Sequence, residues 1–132
     1  MTHLDGPGYI TTQQWINKVV RGLVFGAFYF GSAVLPFVAA AAAAWAGERG
    51  RGLLWLAIAA VYFGAVFWLT RSINIPINND VATWQPALPP PNWAEVRDSW
   101  NDANLTRTLA AMASFAGAVV LLATRGAGPR QA

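Results

Sequence analysis

This chain contains three long apolar runs, and the polar residues that follow the second one are spaced as in a binding site. Thr70, Asn74 and Asn78 share one face if the helix before them continues for one more turn. Asp80 adds a carboxylate two residues further along the chain. One interpretation is a polar floor for a cavity within a helix bundle. The alternative is structural, because carboxamides can satisfy the carbonyls that Pro76 leaves without a backbone donor.

A second polar group precedes the third apolar run. Its members are spaced by three, four and three residues and therefore share one helix face: Arg97, Trp100, Asn104 and Arg107. Arg107 lies nearest the apolar run, where an arginine can simply extend its guanidinium to the membrane interface. The other interpretation is a polar site shared with the first group, since only a loop connects the two groups.

The composition places both groups in a membrane protein. Of the 132 residues, 55% are hydrophobic and 11% are charged, whereas about 25% of residues are charged in an average soluble domain. Uncharged runs at 22–47, 52–70 and 108–124 are long enough, or nearly so, to cross a bilayer. We predict an all-α integral membrane bundle in one domain, residues 1–132, with helices near 16–46, 52–75 and 101–124. We also expect a polar loop at 76–100 and a disordered tail at 125–132.

The same composition argues against several other classes of protein. The chain has no cysteine and a single histidine, His3, so we expect neither disulfides nor a metal site. The net charge is +3, but the basic residues form no stripe, and we expect no binding of nucleic acid. The bilayer is the expected partner.

Small residues and prolines predict how the helices meet and end. Residues 10–22 have the pattern of an amphipathic helix that runs directly into the first membrane helix, with an apolar face of Trp15, Ile16, Val19 and Leu23. Pro76 is expected to end the second membrane helix. Close helix contacts, within the bundle or between copies in a homo-oligomer, are predicted at small residues spaced by four: Gly22 and Gly26; Ala60 and Gly64; Ala110, Ser114 and Ala118.

Basic residues predict the orientation in the membrane. Arg49 and Arg51 lie in a short loop, and Arg125 and Arg130 lie in the tail on the same side. Short basic segments stay in the cytoplasm, so we expect this side to be cytoplasmic and the segment 71–107 to lie outside. The N-terminus would then lie outside without a signal peptide, a difficulty that an additional N-terminal membrane helix would resolve.

Two motifs resemble those of a known family. The run NIPIN at 74–78, followed by Trp84, and the run RDSWNDANLTR at 97–107 are similar to the N-x-P-x-N and R-x-x-W-x-x-x-N-x-x-R pattern of the anthrone oxygenase-like family of small membrane proteins. The segment LDGPGYITTQQWINKVV also resembles the part that follows that family's first membrane helix. The likeness covers roughly residues 4–124. The family usually has four membrane helices, and the first has no counterpart in this sequence.

The resemblance implies oxidation of anthrones to anthraquinones by molecular oxygen without an ordinary cofactor. It implies Asp80 as the base, or His3 if the N-terminal segment folds back, and Arg107 and Asn104 as donors to an oxyanion. The remaining residues would contact a planar aromatic substrate: Asn74, Asn78, Trp84, Arg97 and Trp100. The alternative is a non-catalytic membrane scaffold or assembly protein in which these side chains only secure the bundle.

Overall fold

The computed structural model describes residues 3–20 and 22–125, apart from the side chain of Arg125. Four helices and no strand lie within these residues: α1 (Gly6–Val20), α2 (Leu23–Trp45), α3 (Arg49–Thr83) and α4 (Trp93–Arg125). Helices α2, α3 and α4 are long and apolar enough to cross a membrane. The predicted all-α membrane bundle is thus confirmed, and the chain is a multi-pass membrane protein.

A tight turn joins α2 to α3. Gly47 adopts a φ of 78°, a left-handed conformation that glycine takes without strain. Its N–H donates to the Ala44 carbonyl at 3.1 Å, as is common at a helix end. Helix α3 then returns along α2, and a β-carbon at Gly52 would lie 3.3 Å from the Ala40 carbonyl oxygen. The close approach of the two helices therefore depends on Gly52.

Two of the predicted small-residue contacts are not made within the described chain. A β-carbon at Gly26 or at Gly64 would meet no atom within 4 Å, and Ala60 is exposed. Lipid-facing positions of this kind cannot hold the helices of one chain together. Contact between copies at these positions stays a prediction.

Helix α3 is the centre of the bundle and continues well beyond its predicted end. Its segments Tyr62–Trp68 and Thr70–Asn74 have π-helical hydrogen-bond spacing, and α-helical spacing returns at Ile75–Thr83. The prediction that Pro76 ends this helix was wrong. Pro76 lies at the start of the last α-helical segment, where the hydrogen-bond spacing changes and a missing N–H is tolerated.

The segment between α3 and α4 is shorter than predicted. The polar loop expected at 76–100 is confined to residues 84–92, because α3 extends to Thr83 and α4 begins at Trp93. Both polar helix ends are stabilised by packing against α1, in a small core around Tyr9, Ile10 and Val81, which are all fully buried. We call this assembly of α1 with the adjoining ends of α3 and α4 the cap. Of the tail predicted at 125–132, residues 126–132 lie outside the described residues.

Helix α1 packs its polar face against the bundle and leaves much of its apolar face exposed. Trp15 is 62% exposed and Val19 is 71% exposed, whereas Gln13 and Asn17 are buried against α3. The helix also ends before Gly22, whose backbone is extended, and does not run directly into α2. The sequence predicted the amphipathic pattern but not which face would be buried, and next to a bilayer an apolar face can remain outside.

The three membrane helices leave an opening between them. Helix α3 packs against α2 on one side and against α4 on the other, while α2 and α4 make little contact with each other. At the end of α3 that lies far from the cap, Arg51 pairs with Glu48 at 3.0 Å and donates to the Leu121 carbonyl. This contact ties the start of α3 to the end of α4 and leaves the space between α2 and α4 unfilled.

Candidate functional site

Arg107 is held in a fixed position between α3 and α4. Its Nε donates to Asn104 Oδ1 at 3.0 Å, and its Nη1 donates to Thr70 Oγ1 at 3.1 Å. The Thr70 hydroxyl in turn donates to the Val66 carbonyl at 2.6 Å. Because a guanidinium carries five N–H donors, several remain for another partner. Asn104 accepts from Arg107 and so orients it.

The guanidinium of Arg107 has no counter-ion in the described part of the chain. The ion pairs there join Arg51 to Glu48 and Arg97 to Asp98. Arg107 is partly buried and lies within a candidate membrane span, where an isolated charge is costly. An unpaired cation in this place is therefore an expected binding point for an anionic oxygen.

Arg107 borders a cavity of about 310 Å³ that we call the Arg107 cavity. Side chains from all three membrane helices line it, among them Phe28, Tyr29, Tyr62, Val66, Thr108 and Met112. Its size lies at the lower end of the range for small-molecule sites. The lining is apolar and aromatic apart from Arg107 and a few hydroxyl groups, as expected for a site that binds an apolar ligand with one polar group.

A larger opening adjoins the Arg107 cavity. This α2–α4 cleft has a volume of about 700 Å³ and is lined by residues that include Pro36, Ala39, Trp55, Ile58, Ser114 and Ala118. Ser32, Tyr62 and Ala111 line both spaces, so the two are adjacent. The Arg107 cavity thus adjoins the cleft, and Arg107 lines the smaller space only.

Stacked aromatic rings form part of the wall between α2 and α3. Tyr29 stacks on Phe67 with ring centroids 5.4 Å apart and planes 16° apart, and Phe63 stacks on Phe67 at 4.9 Å and 13°. The Tyr29 hydroxyl donates to the Phe67 carbonyl at 3.1 Å. Phe25, stacked on Tyr29 at 6.1 Å, also lines the Arg107 cavity. Of these rings, those of Phe25 and Tyr29 line the Arg107 cavity, where an aromatic ring can contact a planar ligand.

The predicted residues Asn74, Asn78 and Trp100 do come together, but they bond to one another and to α1. Asn78 Oδ1 accepts hydrogen bonds from Trp100 Nε1 and from Gln13 Nε2, both at 2.8 Å. Asn74 Nδ2 donates to the Trp100 carbonyl at 3.4 Å, and Asn17 Nδ2 donates to the Asn78 carbonyl at 3.3 Å. This network lies inside the cap, so the structure assigns it to holding the cap together.

The other predicted residues lie away from Arg107. Asp80 is exposed and forms no ion pair with a described residue. It follows Thr70 by ten residues, which corresponds to about 15 Å along a helix. His3 is exposed near the N-terminus. The expected meeting of Arg107 with Asp80 is therefore not found, because α3 does not bend back at Pro76 but carries Asp80 onward into the cap.

Trp84 and Arg97 belong to the surroundings of the cap core. Trp84 packs against the core formed by Tyr9, Ile10 and Val81. Arg97 stacks over the Trp93 ring at 5.0 Å and pairs with Asp98 at 2.8 Å. Burial raises the pKa of the Tyr9 phenol to about 12, and the nearby Arg97 charge opposes that rise in part. Neither Trp84 nor Arg97 lines the Arg107 cavity.

A comparison with known families decides the assignment. A family model described as anthrone oxygenase matches residues 22–117. The chain belongs to the anthrone oxygenase family. The resemblance carried by the NIPIN and RDSWNDANLTR motifs is thereby confirmed. No curated protein and no solved structure matches the chain significantly.

The part of the chain that matches the anthrone oxygenase family contains the whole Arg107 cavity, including Phe25 and Met112. Helix α1 precedes the matched part, although its Gln13 and Asn17 bond to Asn78 within it. In the described residues no three His, Asp or Glu side chains come together in the way that holds a metal ion. The polar groups at the Arg107 cavity are instead a guanidinium and hydroxyl groups.

Sequence reasoning missed several residues that line this space. Thr70 was placed on the face of Asn74 and Asn78 but was given no part in holding Arg107. Tyr29, Ser32 and Tyr62 were passed over because they lie inside runs that were judged by their apolar character. The available signal was the spacing of Tyr29 and Ser32, which puts two hydroxyl groups on one face of an otherwise apolar helix.

Proposed function

We propose that this protein oxidises anthrone-like polycyclic aromatic compounds with molecular oxygen in the Arg107 cavity. The observation that supports this most strongly is a guanidinium at the edge of an apolar, partly aromatic space, with no counter-ion among the described residues. A ligand that becomes an oxyanion during the reaction supplies the missing negative charge. Membership of the anthrone oxygenase family supports the same type of reaction.

The first step is removal of a benzylic proton from the central ring of the anthrone. The electron pair that remains delocalises onto the carbonyl oxygen and gives a phenolate-like oxyanion. The N–H groups that Arg107 does not use for Asn104 and Thr70 are the donors for this oxygen. Asn104, expected from the family resemblance to be a second donor, acts here as a positioning residue for Arg107.

Tyr62 is the proposed proton acceptor. It lines both the Arg107 cavity and the α2–α4 cleft. The hydroxyl of Tyr29 donates to the Phe67 carbonyl, whereas the Tyr62 hydroxyl forms no hydrogen bond within the described residues. The proton moves from the ligand carbon to the Tyr62 oxygen, after the phenolic proton of Tyr62 has passed to a hydroxide ion from the solvent. The negative charge thus passes from one oxygen to another beside the same guanidinium, and little charge reorganisation is needed.

Oxygen then reacts with the electron-rich carbon. One electron passes from the carbanion to O₂, and the resulting pair combines to form a carbon–oxygen bond and a peroxide. Loss of the second benzylic proton and cleavage of the O–O bond leave a carbonyl on that carbon and release hydroxide, which takes up a proton to become water. One O₂ therefore converts one CH₂ group to C=O and one molecule of water.

Arg107 variants test the proposal. Purified protein in detergent should consume oxygen when anthrone is added and form anthraquinone, measured by an oxygen electrode and by absorbance. We expect Arg107→Met to lower kcat/KM by a factor of about 10² to 10³, as for loss of an oxyanion donor. Arg107→Lys should lose almost as much, because an ammonium cannot hold Asn104 and Thr70 together as a planar fork does.

Arg71→Met is the matched control, since Arg71 is exposed on α3 close to Thr70. Its activity should equal that of the parent. Arg107 variants as active as the parent would remove the guanidinium from the mechanism. Absence of oxygen uptake by the parent would contradict the oxygenase and favour a non-catalytic scaffold or assembly protein.

A further inference from the structure

The α2–α4 cleft is larger than the Arg107 cavity and extends away from Arg107, towards Trp55 and Leu122. The oxidation proposed above occurs at a single ring carbon and uses only the end of this space that lies beside Arg107. The rest of the cleft is available for parts of a ligand that do not react. Its lining is mostly aliphatic and aromatic, with hydroxyl groups at Ser32, Tyr62 and Ser114.

Ser114 differs from most serine and threonine residues of α3 and α4, whose hydroxyls donate to a backbone carbonyl of their own helix. Its side chain is 7% exposed, it lines the cleft, and its Oγ has no hydrogen-bond partner. A buried hydroxyl without a partner is unfavourable, and serine in a helix normally avoids this by donating to the carbonyl four residues earlier. That bond is made at distances of 2.6 to 2.9 Å by Thr70, Ser72, Thr106, Thr108 and Thr124.

The position of Ser114 relative to Arg107 fits one elongated ligand. The two residues are seven apart on α4 and therefore lie on nearly the same helix face, about 10 Å apart along its axis. The reacting oxygen is on the central ring of the ligand, so a ligand that places this oxygen at Arg107 can direct one outer ring along α4 towards Ser114. Ala111 and Ala118 line the cleft on either side of Ser114. The Ser114 Oγ is itself enclosed, so it reaches a ring lying along α4 once its side chain rotates about χ1 towards the cleft.

We propose that Ser114 is a specificity-determining residue that hydrogen-bonds to an oxygen substituent on the ring of the ligand farthest from Arg107. The inference deepens the proposed function and depends on its placement of the reacting oxygen at Arg107. It defines the ligand class as planar fused aromatics that carry a hydroxyl or carbonyl group on an outer ring. Ser114 does not take part in the chemical step.

The affinities of the parent and of Ser114→Ala for two ligands test this inference, and no turnover is required. The probes are anthraquinone and 2-hydroxyanthraquinone, and affinity is obtained from the ligand-dependent rise in Tm of the detergent-solubilised protein. The parent should prefer the hydroxylated probe by a factor of roughly ten in Kd, the size of one hydrogen bond to a buried group. Ser114→Ala should abolish this preference, and partition into detergent cancels because both proteins meet the same micelles.

Ser72→Ala is the matched control, because Ser72 is exposed and its hydroxyl bonds to the Trp68 carbonyl. It should keep the preference of the parent. Ser114→Cys, of nearly the same shape but a weaker donor, provides the comparison if the alanine variant does not fold. The same preference in the Ser114 variants as in the parent, or no binding of either probe by the parent, would overturn the inference.

The two proposals can fail separately. A parent that consumes no oxygen but loses its preference on Ser114→Ala would contradict the oxygenase and support the ligand contact. A parent that oxidises anthrone while its preference is insensitive to Ser114 would overturn the present inference alone.

Discussion

At the scale of single residues, the unneutralised charge of Arg107 lowers the stability of the fold, and a bound anionic ligand would offset this cost. Two hydrogen bonds hold it, but no carboxylate in the described residues neutralises its charge. Breaking a buried ion pair costs roughly 3–5 kcal/mol because a partner charge is left behind. No such partner lies among the residues that the structure describes. We therefore expect Arg107→Met to lose most of the activity while the Tm of the protein in detergent changes little.

Tyr62 and Tyr29 allow the proton acceptor to be tested with a matched pair. Both line the Arg107 cavity, and removal of either hydroxyl leaves an aromatic ring in place. We expect Tyr62→Phe to reduce kcat by a factor of 10² or more, the usual contribution of a positioned base. Tyr29→Phe removes a hydrogen bond to the Phe67 carbonyl and should reduce kcat much less. Steady-state oxygen uptake at saturating anthrone is the measurement.

Equal losses in the two tyrosine variants would show that the hydroxyl groups act through the structure of the cavity. Loss of activity in Tyr29→Phe but not in Tyr62→Phe would show that Tyr29, and not Tyr62, accepts the proton.

At the scale of helices, the sequence predicted the membrane spans well and their polar ends poorly. The apolar runs alone require three helices, since a bilayer leaves no other way to satisfy the backbone. The extension of α3 through Pro76 was not predictable from propensity, because it depends on π-helical spacing upstream and on packing of Val81 against α1. Tertiary contacts here outweigh the local effect of a proline.

The candidate site was also predictable only in part. The helical spacing correctly placed Asn104 beside Arg107. It could not reveal that Thr70 takes the position expected for Asp80, because that depends on how far α3 continues beyond the membrane. Asn74 and Asn78 were assigned to substrate contact, but α1 brings Gln13 to Asn78, and the polar face of α1 was not recognised as buried.

The network in the cap predicts a purely structural effect at Asn78. Asn78→Leu removes the acceptor shared by Gln13 and Trp100, and each buried donor left unpaired costs about 1–3 kcal/mol. We expect a clear fall in Tm in detergent. Asp80→Asn is the control, since Asp80 is exposed two residues away, and it should change stability by less than about 0.5 kcal/mol.

Oxygen uptake by the same two variants separates stability from chemistry. At a temperature where Asn78→Leu is still folded, both variants should keep most of the activity of the parent. Loss of activity in Asp80→Asn with an unchanged Tm would restore Asp80 as the base.

At the scale of the whole molecule, the orientation of the bundle can be tested from its two exposed turns. We propose that the cap and the loop at 84–92 lie outside the cytoplasm, because the short basic segments around Arg49 and Arg51 lie at the other end. In intact cells, an impermeant thiol reagent should label Ala87→Cys and should not label Gly50→Cys. The chain has no native cysteine, so no background signal is expected.

Labelling of Gly50→Cys alone would invert the assigned orientation. Permeabilised cells provide the control, because both positions are exposed and both should then react.

The opening between α2 and α4 bears on which ligand concentration sets the rate: the concentration in the membrane or the concentration in water. A ligand that enters through the side of the bundle arrives from the hydrocarbon phase, so its supply is set by its mole fraction among the lipids and not by its amount in water. Adding inert lipid at a fixed quantity of substrate should then slow the reaction by surface dilution. Compounds that partition strongly into membranes would be favoured at equal affinity for the cavity, which makes the bilayer itself a first stage of selection.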